Sequence, residues 1–241
     1  KAEGGTGDPV DFAIVPNGVI RSSFQEGEIT VGNAFEVLSL GIGFDRTPGC
    51  PLVGVYLTGK EIKTTCEIDA SISDLMDGTM LFYSNLTFTF NPNRMLLNKV
   101  TNVQIVNDDG SLSELEDDKL YRVVSDLYSA QMLGAVKETS YGILTVTPKD
   151  KNGNPIENFE DCVIYNGDKE LKAWYALADY LQSFPKENNI SVIPERYADV
   201  EGRKIVDDNK NIIEIIKNPN TSTLVICGVV LLLLFIIVLI V

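Results

Sequence analysis

The stretch Val10–Arg21 has the sequence VDFAIVPNGVIR. Its first part, Val10–Val15, consists mostly of apolar β-formers and predicts a buried strand. Pro16 and the Asn-Gly pair that follows end the strand, because proline lacks the ladder donor and Asn-Gly turns readily. Arg21 then lies just past a strand end, where ligand-binding groups are common and where its guanidinium can pair with carboxylate or phosphate. The alternative is an arginine that forms a salt bridge with a surface glutamate.

The composition excludes several classes of function. The 241 residues include no histidine, which rules out Ser-His-Asp triads, His-based acid–base catalysis and the usual zinc sites. Carboxylate sites for Mg or Ca stay open, although no EF-hand-like spacing occurs. The net charge of −14 argues against a nucleic-acid partner, because binding a phosphate backbone needs a basic face.

The four cysteines are Cys50, Cys66, Cys162 and Cys227. No two of them have the spacing of a metal knuckle or a redox pair. Cys227 lies in the apolar C-terminal tail, so three remain elsewhere without an obvious disulfide framework. The sequence therefore predicts buried free thiols and no metal site.

Taken in order, the chain mixes strands and helices without a regular βαβ repeat. This predicts an α+β fold with mixed β-sheets and flanking helices, followed by a single C-terminal transmembrane helix. The predicted strands are Val10–Val15, Leu52–Leu57, Thr79–Tyr83, Leu86–Phe90, Val100–Val106, Leu120–Val124, Ile143–Val146 and Cys162–Tyr165, and Gly202–Val206 closes the domain. The predicted helices are Val31–Leu38, Gly59–Ile72, Tyr128–Val136 and Glu170–Phe184, with a partly helical Ile212–Ile216.

Two features within this order bear on function. Residues Ser39–Pro51 read SLGIGFDRTPGCP and predict a long loop that contains Phe44. Loops of this length are often functional, and a plain connection is the alternative. Trp174 lies on the apolar stripe of the Glu170–Phe184 helix, which predicts a core position and not a ligand contact.

The C-terminal tail predicts a membrane anchor. Leu224–Val241 has no charged residue, and only Gly228 interrupts its aliphatic run. With Thr223 it would span about 28 Å as a helix, close to the thickness of a bilayer core. We expect a polar linker over residues 207–222, a transmembrane helix over residues 223–241, and a single-pass membrane protein.

Several segments, in order, resemble the C-terminal domain of the 5'-nucleotidase family. They are DFAIVPNGVIR, GEIT, the Gly/Pro loop, LVGVYLTGKEIK and KLYRVVSDLYS. That family includes nucleotide-sugar hydrolases and cyclic-nucleotide phosphodiesterases. The resemblance covers roughly Pro9–Val206, and its most specific parts are the strand with its arginine turn and the L-T-G-K-E helix start.

The resemblance implies a two-domain enzyme. In the family, an N-terminal metallophosphoesterase domain holds two divalent metal ions, and the C-terminal domain binds the nucleoside part of the substrate. Residues 1–9 would then continue a missing upstream domain, and residues 10–206 would form the substrate-binding domain. We expect no cofactor, metal ligand or catalytic residue in this chain, which would be inactive alone.

The family's substrate-contacting turn is Asn-Gly-Gly-Gly-Ile-Arg. Arg21 matches its arginine and Gly18 fits one of its glycines, whereas Asn17 lies one place later than the motif's asparagine, where Pro16 stands in strict register. The resemblance thus implies that Asn17, Gly18 and Arg21 bind substrate.

The two aromatic positions of the family's base clamp have changed. Ser39-Leu40 stands where the family has Pro-Phe, and Tyr128–Met132 stands where it has Gly-Gly-Asp-Gly followed by an aromatic residue. We expect Phe44 and Tyr128 to offer the replacement ring faces.

These expectations combine into one function. The chain is predicted to be the nucleotide- or nucleoside-binding domain of a membrane-anchored, metal-dependent nucleotide phosphohydrolase, held outside the cytoplasm through Leu224–Val241. The alternative is a non-catalytic, surface-anchored module that binds a ligand or a protein.

Overall fold

The computed structural model describes residues 9–73, 77–139 and 145–240. The strands are β1 (Phe12–Pro16), β2 (Leu52–Thr58), β3 (Leu81–Tyr83), β4 (Leu86–Phe90), β5 (Val100–Val106), β6 (Leu112–Glu114), β7 (Leu120–Asp126), β8 (Tyr165–Asn166), β9 (Lys169–Glu170), β10 (Lys186–Glu187), β11 (Ile190–Ser191) and β12 (Lys204–Val206). The helices are α1 (Val31–Val37), α2 (Gly59–Ile72), α3 (Leu127–Thr139), α4 (Ala173–Gln182), α5 (Ile212–Ile216) and α6 (Thr221–Ile240). Short 3₁₀ helices cover Asn17–Val19, Asp77–Thr79, Phe159–Cys162 and Glu195–Tyr197.

Two four-stranded sheets form the body of the fold. The first has the order β2-β7-β1-β3, in which β1 and β7 are parallel and the other pairs are antiparallel. The second has the order β12-β4-β5-β6, in which β12 is parallel to β4. The prediction of an α+β fold with mixed sheets is therefore confirmed. Two short hairpins, β8-β9 and β10-β11, lie outside these sheets.

Helix α2 contacts both sheets and contributes to the main core. It begins with a capping box: Thr58 Oγ1 accepts from Glu61 N at 3.3 Å, and Glu61 Oε2 accepts from Thr58 N at 2.8 Å. Its buried residues include Ile62, Cys66 and Ala70, which follow one another every fourth position and so share one helix face. The apolar stripe thus explains why this helix packs where it does.

The main core lies between the two sheets and α2. Its largest fully buried side chains include Tyr121, Phe12 and Leu57. The alternating burial along β2 places Val53, Val55 and Leu57 on the core side, as expected for a strand with one buried face. Cys50 and Cys66 are buried free thiols as predicted, whereas Cys162 is half-buried and Cys227 is exposed.

The segment that follows β12 is tied to the second sheet. The guanidinium of Arg94, which is buried, donates to three carbonyl oxygens of this segment: Glu214 at 2.8 Å, Lys217 at 2.7 Å and Asn218 at 3.3 Å. Asn91 Nδ2 also donates to Asn209 O at 2.7 Å. Residues 207–220 therefore make specific contacts with the domain.

Most predicted elements are present, and four have the predicted bounds: β4, β5, α2 and α5. Two predicted strands are wrong where the structure describes them. Residues 145–146 form no strand, because the neighbouring Thr147 N donates to the Glu61 side chain at 3.1 Å; residues 143–144 lie outside the described part. Of the predicted strand Cys162–Tyr165, Tyr165 alone lies in a strand, at the start of β8. Cys162 ends a 3₁₀ helix that Asn158 caps, and Val163 forms an isolated bridge with Val53.

The prediction of a transmembrane helix is wrong for the described chain, in which no helix is long and apolar enough to cross a membrane. Helix α6 covers Thr221–Ile240. The predicted membrane contact through Leu224–Val241 is therefore wrong as well. The same holds for the predicted single-pass, extracytoplasmic localisation.

Candidate functional site

Three chain segments meet at one end of the first sheet. Strands β1 and β7 run parallel, so their last residues, Pro16 and Asp126, lie at the same end. Strand β2 runs antiparallel to β7 and starts there, with Leu52 opposite Asp126. The turn with Arg21, the loop before β2 and the first turn of α3 therefore share this end, which we call the site end.

The arginine turn is built on the 3₁₀ helix Asn17–Val19. Backbone bonds fix it at both sides: Asn17 N donates to Met80 O at 2.7 Å, and Arg21 N donates to Val37 O at 2.8 Å. Gly18 packs on a neighbouring backbone, since a Cβ there would lie 3.0 Å from Gly78 O. The position of the turn is thus set by contacts that leave the Arg21 side chain out of the core.

The Arg21 guanidinium is exposed, and its Nη1 donates to Gly18 O at 3.3 Å. The sequence left open a salt bridge with a surface glutamate such as Glu26 or Glu28. No ion pair between described residues includes Arg21. Because a guanidinium has five N–H donors, most of its hydrogen-bonding capacity is available to a ligand.

The loop over residues 39–50 is an ordered hairpin. Ile42 and Pro48 form an antiparallel bridge, and Cys50 N donates to Leu40 O at 2.8 Å. Its tip carries Phe44, whose side chain is 40% exposed, and Arg46, whose φ of 61° lies in the left-handed region. A non-glycine residue rarely adopts this conformation, so the surroundings must hold the tip in place.

A buried ion cluster holds the tip of this loop. Lys172 Nζ lies 2.7 Å from Asp45 Oδ1 and 2.6 Å from Glu170 Oε2, and Asp45 N donates to Glu170 Oε1 at 2.8 Å. The side chains of Lys172 and Glu170 are 6% and 3% exposed. Although desolvation opposes ionisation, hydrogen bonds from Lys172 and Thr47 lower the pKa of Asp45 from 3.8 to about 2.

Two glycines allow the loop to approach this cluster and α4. A Cβ on Gly43 would lie 1.9 Å from Glu170 Oε2 and 2.0 Å from Lys172 Nζ. Gly49 has a φ of +96°, and a Cβ there would lie 2.5 Å from the Trp174 ring. Only a residue without a side chain fits either position, so the loop is shaped to its neighbours.

The first turn of α3 is held by its cap. Asp126 Oδ1 accepts from Ser129 N at 2.9 Å, and its second carboxylate oxygen accepts from the Ser129 hydroxyl. Tyr128 lies in this turn and is 47% exposed, and the neighbouring Leu127 N donates to Pro51 O at 2.9 Å. Burial raises the pKa of the Cys50 thiol, which keeps it neutral. The loop and α3 are thereby joined at the site end.

A cavity of about 430 Å³ lies between the first sheet and α4. Its walls are mostly aliphatic, and it is partly open to solvent. The lining residues are Ala13, Val15, Val19, Leu38, Leu40, Cys50, Leu52, Val124, Ser125, Asp126, Ala173, Ala176, Leu177 and Tyr180.

The family model described as "5'-nucleotidase, C-terminal domain" matches residues 4–137, more than half of the chain. The chain belongs to this family. All three segments at the site end fall within the matched residues, whereas the part of the cavity wall that comes from α4 lies beyond them. No curated protein matches the chain.

Solved structures of related enzymes resemble this 5'-nucleotidase C-terminal domain. A 5'-nucleotidase precursor from Thermus thermophilus is 25% identical with a TM-score of 0.55, over 84% of this chain and 32% of that one. An NAD nucleotidase from Haemophilus influenzae is 23% identical with a TM-score of 0.43, over 55% and 22%. A putative 5'-nucleotidase from Staphylococcus aureus is 12% identical with a TM-score of 0.48, over 82% and 33%. The chain spans a third or less of these proteins.

Within the 5'-nucleotidase domain, the sequence-predicted site residues lie on the three segments of the site end. Asn17, Gly18 and Arg21 share the arginine turn, Phe44 lies at the loop tip, and Tyr128 lies at the start of α3. Among the described residues, neither the Phe44 ring nor the Tyr128 ring packs against another aromatic ring.

Sequence reasoning missed the cavity and the Lys172 cluster. None of the five predicted residues lines the cavity, and α4 supplies Tyr180 to its wall. Trp174, for which a core position was predicted, is half-buried and lies outside the main core, where it packs edge-on against Phe35 at 5.7 Å. The charged and apolar residues around the start of α4 can be read from the sequence. No local sequence pattern indicates that their partners lie in the loop over residues 39–50.

The described residues contain no group of three or more Cys, Asp or Glu side chains that could hold a metal ion. The two divalent ions that the resemblance implies therefore have no fitting site within this part of the chain, and we assign no hydrolytic step to its residues.

Proposed function

We propose that this domain binds the nucleoside part of a nucleotide substrate for a 5'-nucleotidase-type phosphohydrolase. The observation that carries the proposal is the family match over residues 4–137, which includes all three segments of the site end. The exposed Arg21 and the ordered loop beside it support the same proposal, because a binding group needs a fixed backbone and available donors.

Arg21 is the proposed anchor of the ligand. Its guanidinium would donate to a ribose or phosphate oxygen, a charge-assisted contact worth about 1.5–3 kcal/mol. Asn17 and Gly18 shape the turn around the same ligand group. Phe44 and Tyr128, with 40% and 47% of their side chains exposed, would offer ring faces to the base.

The catalytic part of the proposed enzyme is a separate metallophosphoesterase domain. This chain spans a third or less of the related structures, and its described residues offer no fitting metal site. We therefore propose that the metal ligands and the hydrolytic chemistry lie in that domain, and that this chain alone contributes substrate binding.

Calorimetric titration of AMP and UMP into wild type and Arg21→Ala tests the proposal. We expect at least one of the nucleotides to bind to wild type and Arg21→Ala to bind it at least tenfold more weakly, which corresponds to about 1.4 kcal/mol. Unfolding curves should show equal stability, because Arg21 lies outside the core and its side-chain bond to Gly18 is long.

The matched control is Arg196→Ala, which removes another exposed arginine from the 3₁₀ helix Glu195–Tyr197. This variant should bind like wild type. If Arg21→Ala binds like wild type but unfolds more easily, Arg21 has a structural role and the proposed site is wrong. If neither nucleotide binds to wild type, the proposed ligand class is wrong.

A further inference from the structure

The cavity between the first sheet and α4 adjoins the site end, because Val19, Leu40 and Asp126 belong to its wall. None of the five residues proposed to contact the nucleotide is among its lining residues. We propose that this cavity is a second ligand site, which takes a small uncharged hydrocarbon or the hydrocarbon part of a larger molecule.

The charge of the wall excludes a phosphate or a carboxylate. No lysine or arginine is present among the described lining residues, and the charged group that is present is the carboxylate of Asp126. An anion placed here would be desolvated beside a like charge. The phosphate of the nucleotide proposed to bind at Arg21 therefore lies outside the cavity.

The polar groups of the wall already have partners. Ser125 Oγ donates to Ile14 O at 2.7 Å, and both carboxylate oxygens of Asp126 accept from Ser129. Part of the hydrogen-bonding capacity of both side chains is therefore used within the protein.

The other two polar side chains of the wall are Tyr180 and Cys50. The Tyr180 hydroxyl pairs with the Tyr197 hydroxyl, and a thiol is only a weak donor and acceptor. The wall therefore offers few polar contacts, whereas an ordered water molecule needs two to four of them. The chemistry of the wall thus selects an apolar occupant over a polar one or over solvent.

The size of the cavity fits a ligand of two or three aromatic rings or a short alkyl chain. At about 430 Å³ it falls within the usual range of ligand pockets, about 300–1,000 Å³. Apolar cavities of about 150 Å³ already bind benzene. Tyr180, which is 45% exposed, marks a side of the cavity that reaches solvent, so a ligand has a route of entry.

Fluorescence titration of the full chain with N-phenylnaphthylamine tests the proposal. This probe is uncharged and becomes fluorescent in apolar surroundings. Anilinonaphthalene sulfonate carries the same rings with an added negative charge and is the matched control ligand. We expect the uncharged probe to bind at least tenfold more tightly, because the wall offers no cation to the sulfonate. Equal affinities for the two probes would overturn the proposal.

A variant that fills the cavity identifies the place of binding. Ala176→Leu adds three carbons to the wall from α4 and should weaken binding of the uncharged probe at least tenfold. Ala198→Leu makes the same change at an exposed position and should leave the affinity unchanged. The exposed apolar face of α6 can also bind the probe, but this binding is the same in both variants and does not affect their comparison. Equal affinity in the two folded variants would contradict the proposed site.

A measurement on wild type covers the case in which Ala176→Leu does not fold. Toluene added to methyl-labelled protein should shift the NMR signals of Val15, Val124 and Leu177. Shifts confined to residues 223–238 would overturn the proposal. Arg21→Ala should bind the uncharged probe like wild type, so failure of this site and failure of the nucleotide site are distinguished.

Discussion

Replacing Lys172 with methionine is expected to lower the free energy of unfolding by about 3–5 kcal/mol. Methionine keeps most of the volume of the buried side chain but removes the charge. The carboxylates of Glu170 and Asp45 are then left close together without the cation that lies 2.6 and 2.7 Å from them. Urea unfolding at neutral pH measures the loss.

The difference between wild type and Lys172→Met should also depend on pH. The pKa of Asp45 is lowered to about 2 in the fold, against 3.8 ordinarily. A lowered carboxyl pKa contributes stability that is fully present above the unfolded pKa and is lost as the pH falls through the folded pKa. The gap between the two proteins should therefore be largest above about pH 4 and should shrink towards pH 2.

Two further variants separate charge from packing at this cluster. Lys169→Met changes an exposed lysine on the preceding strand and should alter stability by less than about 0.5 kcal/mol. Adding Glu170→Gln to Lys172→Met should recover part of the loss, because a neutral buried pair needs no counter-ion. If Lys172→Met is as stable as wild type, or if the double variant is worse than the single one, the cluster does not hold the loop as described.

Replacing Arg94 with methionine is expected to lower the free energy of unfolding by roughly 3 kcal/mol. Its buried guanidinium donates to the carbonyls of Glu214, Lys217 and Asn218, and charged hydrogen bonds contribute about 1.5–3 kcal/mol each without being additive. The freed carbonyls can bind water, which limits the loss. Trypsin should cleave faster after Lys217 in the variant, and this rate reports detachment of the segment directly.

Arg196→Met is the control, because it removes an arginine from the surface of the domain. It should leave both the stability and the cleavage rate after Lys217 near the wild-type values. An Arg94→Met protein that unfolds at the wild-type urea concentration and resists trypsin as well as wild type would show that residues 207–220 are held by something else.

The elements that could be predicted from sequence are those with local causes. Helix α2 has the predicted bounds because the residues of its capping box and of its apolar stripe all lie within Thr58–Ile72. Strands β4 and β5 have the predicted bounds because they are β-rich runs flanked by turn residues. The arginine turn was predicted in place because Pro16 and the Asn-Gly pair end β1 locally.

Other features depend on partners far away in the chain. The loop over residues 39–50 reads as a plain connection, and its ordered form depends on Lys172, which follows Asp45 by 127 positions. The parallel pairing of β1 with β7, which creates the site end, joins segments more than a hundred residues apart. No local pattern of turns or periodicity encodes such contacts.

The cavity was missed for a related reason. Apolar residues of α4 such as Leu177 look like ordinary core positions, because hydrophobic spacing identifies a buried face but not whether that face is filled. The roles of Phe44 and Tyr128 stay predictions, and the structure shows that both residues are exposed.

The central proposal is that a nucleotide binds at the site end of this 5'-nucleotidase C-terminal domain. Mapping the backbone amide NMR signals of the full chain during titration with AMP and UMP tests it most directly. The proposal predicts that the shifted signals cluster at residues 17–21, 39–50 and 126–132, with few changes in the second sheet. Signals that do not move at all, or that move only outside those three segments, would contradict it.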